Sequence, residues 1–365
     1  MPTKKTAPDL ILIMTTLTLL GVGLIMVYSA SAVWANYKFA DPFFFLKRQL
    51  LFAGVGIVAM FLIINFDYWV WKQWAKPIII ICFLLLVAVL VPGIGKEING
   101  SRSWIGVGAF SVQPSEFMKI AMIVFLAKFL SERQRYITTI KKGLLPSLSL
   151  VFLAFALIML QPDLGTGTVM VGTCVVMIYV CGARIAHFAF LGFLGLAGFV
   201  GLVISAPYRI KRITSFLDPW QDPLNSGFQI IQSLYAIGPG GLLGLGLGES
   251  KQKYFYLPEP QTDFIFAILA EELGFIGGSF ILLLFGLLLW RGIKIALSAP
   301  DLFGSFLAVG IISMIAIQVM INIGVVIGLM PVTGITLPLL SYGGSSLTLM
   351  LMAIGVLLNI SRHAR

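Results

Sequence analysis

The residues best placed to do chemistry fall in four clusters. The first is Tyr256-Leu-Pro-Glu-Pro-Gln-Thr-Asp-Phe-Ile-Phe266, which runs into an apolar stretch carrying Glu271 and Glu272. Prolines end the loop, and Asp263 is expected in a first helical turn, where a carboxylate complements the helix dipole. That placement alone explains one acid. Glu271 and Glu272 lie two turns deeper, where an unpaired acid at a span centre costs about 2.5–3.5 kcal/mol, so each needs a partner or a wet cavity. Adjacent helical residues point about 100° apart. At most one of the pair can therefore share a cavity with Asp263; Glu271 is the nearer in angle, and the other is expected in a structural ion pair.

The second cluster is Ser101-Arg102-Ser103-Trp104, followed by Gln113-Pro-Ser-Glu116-Phe-Met-Lys119. Pro114 suits the first position of a helix, which sets Glu116 and Lys119 three residues apart on one face. They read either as a neutralised pair holding the helix end or as an ammonium kept facing a phosphate. The third is Gln161-Pro-Asp163-Leu-Gly-Thr-Gly167, a turn whose Pro and Gly explain its shape. They do not explain Asp163, which has no basic residue in its own loop and needs a partner from elsewhere. The fourth is Arg209-Ile-Lys211-Arg212, which fits lipid headgroups or, more sharply, a diphosphate-bearing lipid, since Arg contacts phosphate oxygens in bidentate fashion. The Gly-rich run 238–248 has no preceding strand and no GK[ST] ending, so it reads as close packing or a lid and not as a nucleotide loop. Ser341-Tyr-Gly-Gly-Ser-Ser346 offers small residues for helix packing and hydroxyls that could line a sugar site.

The elements that must position these residues are membrane helices. Of 365 residues, 59% are hydrophobic and 11% charged, and the mean hydropathy is +0.99. A soluble core cannot hide that much apolar surface. Ten apolar stretches are long enough to cross the bilayer, near 10–31, 50–66, 77–92, 114–131, 144–160, 166–182, 186–205, 262–290, 302–329 and 337–360. Their unbroken apolarity predicts an all-α polytopic fold and excludes barrel strands, which would alternate. The whole chain reads as one transmembrane domain with a long outer connection at 206–261, too long for a simple link and so functional or partly helical.

Basic residues set the orientation. With the N-terminus inside, 14 Lys and Arg fall in inner loops against five in the short outer loops, Lys38, Lys47, Arg48, Lys96 and Arg102. Both termini are therefore expected in the cytoplasm. Only Asp9, Asp67, Glu132 and Asp301 are then internal, so polar chemistry is concentrated outside. The net charge of +10 reports topology and anionic lipid, and no nucleic acid is expected as a partner. Cys82, Cys174 and Cys181 lie in apolar runs as small hydrophobes, with no metal-ligand spacing.

Taken together, Pro114-Ser-Glu116 with Lys119, Gln161-Pro-Asp-Leu-Gly-Thr166, Pro258-Glu-Pro-Gln-Thr-Asp263-Phe-Ile-Phe, Glu271-Glu-Leu-Gly274 and Ser341-Tyr-Gly-Gly344 resemble the SEDS (shape, elongation, division and sporulation) family over essentially the whole chain. The family's members are membrane glycosyltransferases that polymerise the peptidoglycan precursor lipid II, and the likeness is strongest to its division and sporulation branch. The resemblance implies ten helices around an outward-facing cavity, a multi-pass protein of the cell membrane acting on the extracytoplasmic side, and a septal or forespore setting. It matches Asp263 to the family's proposed catalytic aspartate, a general base on the acceptor 4-hydroxyl in an inverting transfer. Arg102, Lys119, Arg209, Lys211, Arg212 and Ser341 are then the candidates for holding the substrate and its diphosphate, while Glu116, Asp163 and Glu271 orient or pair. A divalent cation, Mg or Mn, is an open option as cofactor. Partners implied are lipid II, the lipid-linked nascent glycan, membrane lipid and a class B penicillin-binding protein, a transpeptidase. Two other classes stay open at this level: a transporter of lipid-linked precursors, and a non-catalytic scaffold for the transpeptidase.

Overall fold

A computed structural model describes residues 6–98, 101–107, 110–189, 216–225 and 227–363, together with the single positions 192, 195 and 201. The helices are α1 (Leu10–Phe39), α2 (Phe44–Asn65), α3 (Trp69–Leu90), α4 (Pro114–Arg133), α5 (Leu145–Met159), α6 (Leu164–Val180), α7 (Phe228–Gly240), α8 (Ile265–Ser298), α9 (Leu302–Val326) and α10 (Gly344–His363). Seven helical stretches among the described residues are long and apolar enough to cross a membrane: α1, α2, α3, Ile140–Met159, α8, α9 and α10. α6 is apolar but shorter. α4 carries Glu116, Lys119, Lys128, Glu132 and Arg133 along its length, which lowers its apolarity although half its residues are buried. Nine of the ten expected spans thus fall on helices; most of the expected span at 186–205 lies outside the described residues.

α9 sits at the centre, packed on α4, α6 and α8, and is mostly buried. α10 lies along α2, equally enclosed, while α3 packs on α4 and α1 on α8. Leu, Ile, Phe and Met side chains from these helices form one continuous core. The exposed faces of α2, α3 and α8 are studded with Leu, Ile, Val and Phe, as lipid requires. All three cysteines are buried and free.

The two ends of the chain lie together. The Thr6 amide donates to the Arg362 carbonyl at 2.9 Å, and the Asp9 amide to the Ser361 hydroxyl at 3.1 Å. Both termini therefore share one face. Beside them, the Asp9 carboxylate caps α1 through the Leu12 amide and pairs with Arg291 at the far end of α8.

Three features depart from the sequence expectation. A three-stranded antiparallel sheet, β1 (Lys96–Ile98), β2 (Ser101–Val107) and β3 (Phe110–Val112), links α3 to α4. Its register sets Lys96 against Trp104 and Glu97 against Arg102. Runs of three to seven residues carry too little alternation to be read as strands beside long apolar helices. Second, the connection at 206–261 contains α7 and a short 3₁₀ turn at Pro219–Gln221, as its length suggested. Third, α8 is kinked at Gly274, with φ 66° and ψ −166°.

That kink is where the Gly-rich run docks. The Leu245 and Gly246 amides donate to the carbonyls of Glu271 and Glu272 at 2.9 and 3.0 Å, and the Phe275 and Ile276 amides donate back to Gly241 and Leu242 at 2.8 and 3.1 Å. A Cβ on Gly274 would stand 2.3 Å from the Gly244 nitrogen. The run is close packing. Gly274→Ala is expected to cost roughly 1–3 kcal/mol from backbone strain alone, before the overlap is counted. Gly21→Ala, where a Cβ meets nothing within 4 Å, should leave stability unchanged or slightly raised. Thermal unfolding of both variants in detergent checks this, and equal midpoints would remove the close-packing role of Gly274.

Candidate active site

Asp263 stands in a tight turn and not in a helix, which corrects the expectation of a first-turn acid. Pro258 and Pro260 keep the chain out of helix until Ile265, and the turn closes when the Thr262 amide and hydroxyl both donate to the Glu259 carbonyl, at 3.1 and 2.7 Å. Phe264, Ile265 and Phe266 are buried beneath it, so the turn is anchored from below. The Thr262 hydroxyl oxygen also stands 2.7 Å from the Asp263 carboxylate, so its one proton is shared between that carboxylate and the Glu259 carbonyl, and no ion pair of Asp263 forms among the described residues. Burial pushes its carboxyl above the ordinary range; the Thr262 bond opposes that rise and the nearby Glu259 adds to it. An aspartate held this way is a better base than a solvated one.

The turn is held from three sides. The Asp263 carbonyl accepts from the Asn322 side chain on α9 at 2.8 Å, and the same nitrogen donates to the Ile335 carbonyl at 2.7 Å. The Gln261 carbonyl accepts from the Tyr342 amide at 2.8 Å. Ser341 is buried, and its hydroxyl accepts from the Leu337 amide at 2.8 Å, closing the turn ahead of α10. With Thr336, Gly343 and Ser346 it lines a small hollow beside that turn.

Two other clusters, at the starts of α4 and α6, connect to the same segment. Gly165, at the start of α6, packs so tightly on 333–335 that a Cβ there would stand 2.6 Å from the Thr333 carbonyl oxygen. Asp163 caps α6 through the Thr166 amide at 3.1 Å, and its second oxygen accepts from Gln113 at 2.8 Å and Ser115 at 3.0 Å. Its outside partner is therefore the start of α4, through neutral donors. Glu116 and Lys119 form the expected pair, at 2.8 Å, with Lys119 only 3% exposed. The sheet docks here too: the Ser101 hydroxyl donates to the Gln161 carbonyl at 2.5 Å. Half-buried Arg102 follows on the same strand. Gly165 on 333–335, Asn322 on Ile335 and Tyr342 on Gln261 thus bring the start of α6, the end of α9 and the Asp263 turn to the segment 331–343, with Ser341 inside it; Asp163 ties the start of α4, which carries Glu116 and Lys119, to this group, and the sheet carrying Arg102 docks on Gln161. Arg209, Lys211 and Arg212 lie outside the described residues.

Glu271 and Glu272 have a different task. Glu271 does not turn to Asp263; its carboxylate accepts from the Ser250 hydroxyl at 2.5 Å and the Lys251 amide at 2.8 Å. Glu272 is fully buried and is the ion-paired member, 3.2 Å from Lys253, with Ser29 of α1 donating at 2.6 Å. Lys253 also donates to the Gly248 carbonyl. The two acids fasten the loop 245–253 to α8 at membrane depth. Sequence reasoning missed Lys253, Ser29 and Asn322. The signals were there: a lysine beside an aromatic run, a serine inside the first span, and an asparagine inside the ninth.

The donor set among the described residues does not fit a resident metal. Among the described residues no three His, Cys, Asp or Glu side chains converge on one point. Each site carboxylate except Asp263 is already satisfied by an ammonium or by several N–H and O–H donors.

Fold and site together define a polytopic membrane protein with a half-buried acid at one end of its helix bundle. The chain belongs to the cell cycle protein family FTSW_RODA_SPOVE, which matches residues 10–365. It is 76% identical to stage V sporulation protein E of Bacillus subtilis (strain 168) over 365 residues, all of both chains. It is 45% identical to a probable peptidoglycan glycosyltransferase FtsW of Trichlorobacter lovleyi, covering 99% of this chain and 94% of that one. Among solved structures, it is similar to a chain of a peptidoglycan synthase complex in which polymerization and crosslinking are structurally coordinated, with a TM-score of 0.81, 35% identity and 98% of both chains covered. The rod shape determining protein RodA of Thermus thermophilus matches with a TM-score of 0.73 at 32% identity, over 98% of this chain and 97% of that one.

The Lys253–Glu272 pair carries a stability test. Lys253→Met strands a buried carboxylate and should cost about 3–5 kcal/mol, whereas Lys253→Met with Glu272→Gln should recover much of that loss. Unfolding of the single and double variants in detergent measures the coupling. Additive losses would show that the two side chains do not interact.

Proposed function

We propose that this chain is a peptidoglycan glycosyltransferase that polymerises lipid II into glycan strands at the outer face of the cell membrane. One observation carries the reading: Asp263, which the resemblance matches to the family's aspartate, stands in a tight turn with its carboxyl pushed above the ordinary range by burial and with no cation paired to it among the described residues. The relatives named as peptidoglycan glycosyltransferases and the likeness to a chain of a peptidoglycan synthase complex support it. So does the placement of charge. The site gathers at the ends of helices, whereas transporters favour midplane sites built from broken helices.

In the proposed reaction the Asp263 carboxylate takes the proton of the 4-hydroxyl on the acceptor lipid II sugar. That oxygen attacks the anomeric carbon of the lipid-linked chain, the bond from that carbon to the diphosphate oxygen breaks, and the α link becomes β. The lipid diphosphate leaves with the electron pair, so negative charge develops where fixed cations are worth most. Lys119, kept in place by Glu116, and Arg102 are the described candidates for that charge; Arg209, Lys211 and Arg212 complete the set. Ser341, which lines the hollow ahead of α10, is a candidate for holding the substrate, while Asp163 and Glu271 hold the surrounding segments. No step here uses a resident metal; a divalent cation, Mg or Mn, would come with the diphosphate.

The proposed membrane arrangement has ten spans, the seventh at 186–205, with both termini cytoplasmic and a cavity opening outward. The shared face of Thr6 and Arg362 supports an even number of crossings. A class B penicillin-binding protein is the proposed partner, seated on a lipid-facing helix surface; the similarity to a synthase complex supports this. The likeness to stage V sporulation protein E supports a role in the spore cortex or septal wall.

The decisive experiment is polymerisation of purified lipid II by the detergent-solubilised protein with its transpeptidase. Asp263→Ala and Asp263→Asn should each lower the rate by roughly 10²–10⁴-fold while folding and binding the partner normally. Equal polymer from all three proteins would remove Asp263 as the base, and none from an intact wild-type complex would favour transport or scaffolding. The pH profile tests the same group. The ionised form is the active one, so the rate should fall as pH drops through the Asp263 pKa, at a value above the ~3.9 of a free aspartate. An inflection at or below that value contradicts a buried base.

A further inference from the structure

We propose that Asn322 is a positioning residue that holds the Asp263 turn and the outer segment 331–343 as one rigid unit. The inference rests on Asp263 being the base. Asn322 lies near the outer end of α9, 1% exposed, with Gln318 one turn deeper on the same face. A buried asparagine amide in an apolar helix must place two N–H groups, or lose about 1–3 kcal/mol for stranding them. Here one nitrogen serves two backbone carbonyls, Asp263 at 2.8 Å and Ile335 at 2.7 Å. Neither carbonyl sits within a helix or sheet. Each would otherwise be a buried acceptor without a ladder partner.

The geometry makes this a strut and not a local cap. α9 is deeply enclosed in the bundle, pressed against α4, α6 and α8. Its Asn322 reaches two segments far apart in sequence that meet again where the Tyr342 amide donates to the Gln261 carbonyl. Gln49 of α2 holds the far side, donating to the Ser341 carbonyl at 3.0 Å and accepting from the Gly343 amide at 3.3 Å. Gly165 presses on Thr333 and Ile335 from α6. The clamped carbonyl belongs to Asp263 itself, so fixing it fixes the origin from which the carboxylate projects. The Asn322 Oδ1 has no partner among the described residues, so the side chain acts here through its donors alone. It touches the backbone of the base and not the reacting atoms.

The test joins hydrogen exchange to kinetics, using the full chain with its transpeptidase in lipid nanodiscs. In Asn322→Leu, which keeps the volume and removes both donors, backbone amides of 257–264 and of 331–343 should exchange at least ~10-fold faster together, while α4 keeps its protection. The kcat for lipid II polymerisation should fall about 10–100-fold with KM within about twofold, the mark of a displaced base and not of lost binding. Asn322→Ala, milder for folding, should give the same pattern. If either segment keeps wild-type protection in both variants, the strut does not exist. If both loosen while kcat is unchanged and Asp263→Asn is inactive, the strut does not position the base, and the proposal fails. An Asp263→Asn protein that polymerises at the wild-type rate is a separate failure, of the base assignment, and leaves the exchange result to decide the strut.

Discussion

Every polar group inside this bundle must find its partner in the protein, because hydrocarbon supplies none. That single requirement shapes the architecture more than any helix propensity. Glu272 can sit fully buried only because Lys253 and Ser29 come to it, and bringing Lys253 to it draws the loop 245–253 down against α8. The loop in turn leaves the Glu271 and Glu272 carbonyls bonded outside their helix, which is compatible with the break at Gly274. A kink, a glycine run and an ion pair are thus one solution to one problem.

The two ends of the bundle solve it differently. At the end that holds both termini, Asp9 and Asp301 are heavily engaged. Asp301 accepts from the Tyr68 hydroxyl at 3.0 Å, the Trp69 indole at 2.6 Å and the Gly304 amide at 2.7 Å. Asn359 of α10 accepts from the Tyr68 amide at 2.9 Å and donates to the Ile64 carbonyl at 2.8 Å, fastening the α2–α3 turn. This end is built for stability. At the opposite end Asp163 is saturated by three donors, yet the Asp263 carboxylate meets one side-chain donor among the described residues, the Thr262 hydroxyl. An acid left under-neutralised amid such thorough pairing is the local exception that chemistry requires.

Positioning follows from the same economy of donors. A catalytic carboxylate on a loose loop would wander by more than the reaction tolerates. Here the turn is tied by Thr262 to Glu259, by Asn322 to α9 and by Tyr342 to the start of α10. Helices supply the rigidity, and short irregular segments supply the reach. The proposed cations come from other elements, α4 and β2, so the proposed charge binding and proton transfer fall on separately braced parts of the fold.

How much of this could be read in advance depends on the range of the interaction. Membrane embedding and helix positions follow from apolar runs within one segment, and nine expected spans lie on helices for that reason. The Glu116–Lys119 pair was legible because three residues on a helix are neighbours by geometry alone. The need for partners at Asp163, Glu271 and Glu272 was legible too, since the cost of a bare charge in lipid is independent of the fold. Which residues would meet that need was not. Gln113 and Ser115 for Asp163, Lys253 for Glu272 and Asn322 for the Asp263 carbonyl are all choices made between segments distant in sequence. The sheet at 96–112, the break at Gly274 and the non-helical seat of Asp263 belong to the same class. Sequence alone determined that acids would stand in a membrane and demand company; only the packing of helices decided who answered, because partner choice is set by distance in space and not along the chain.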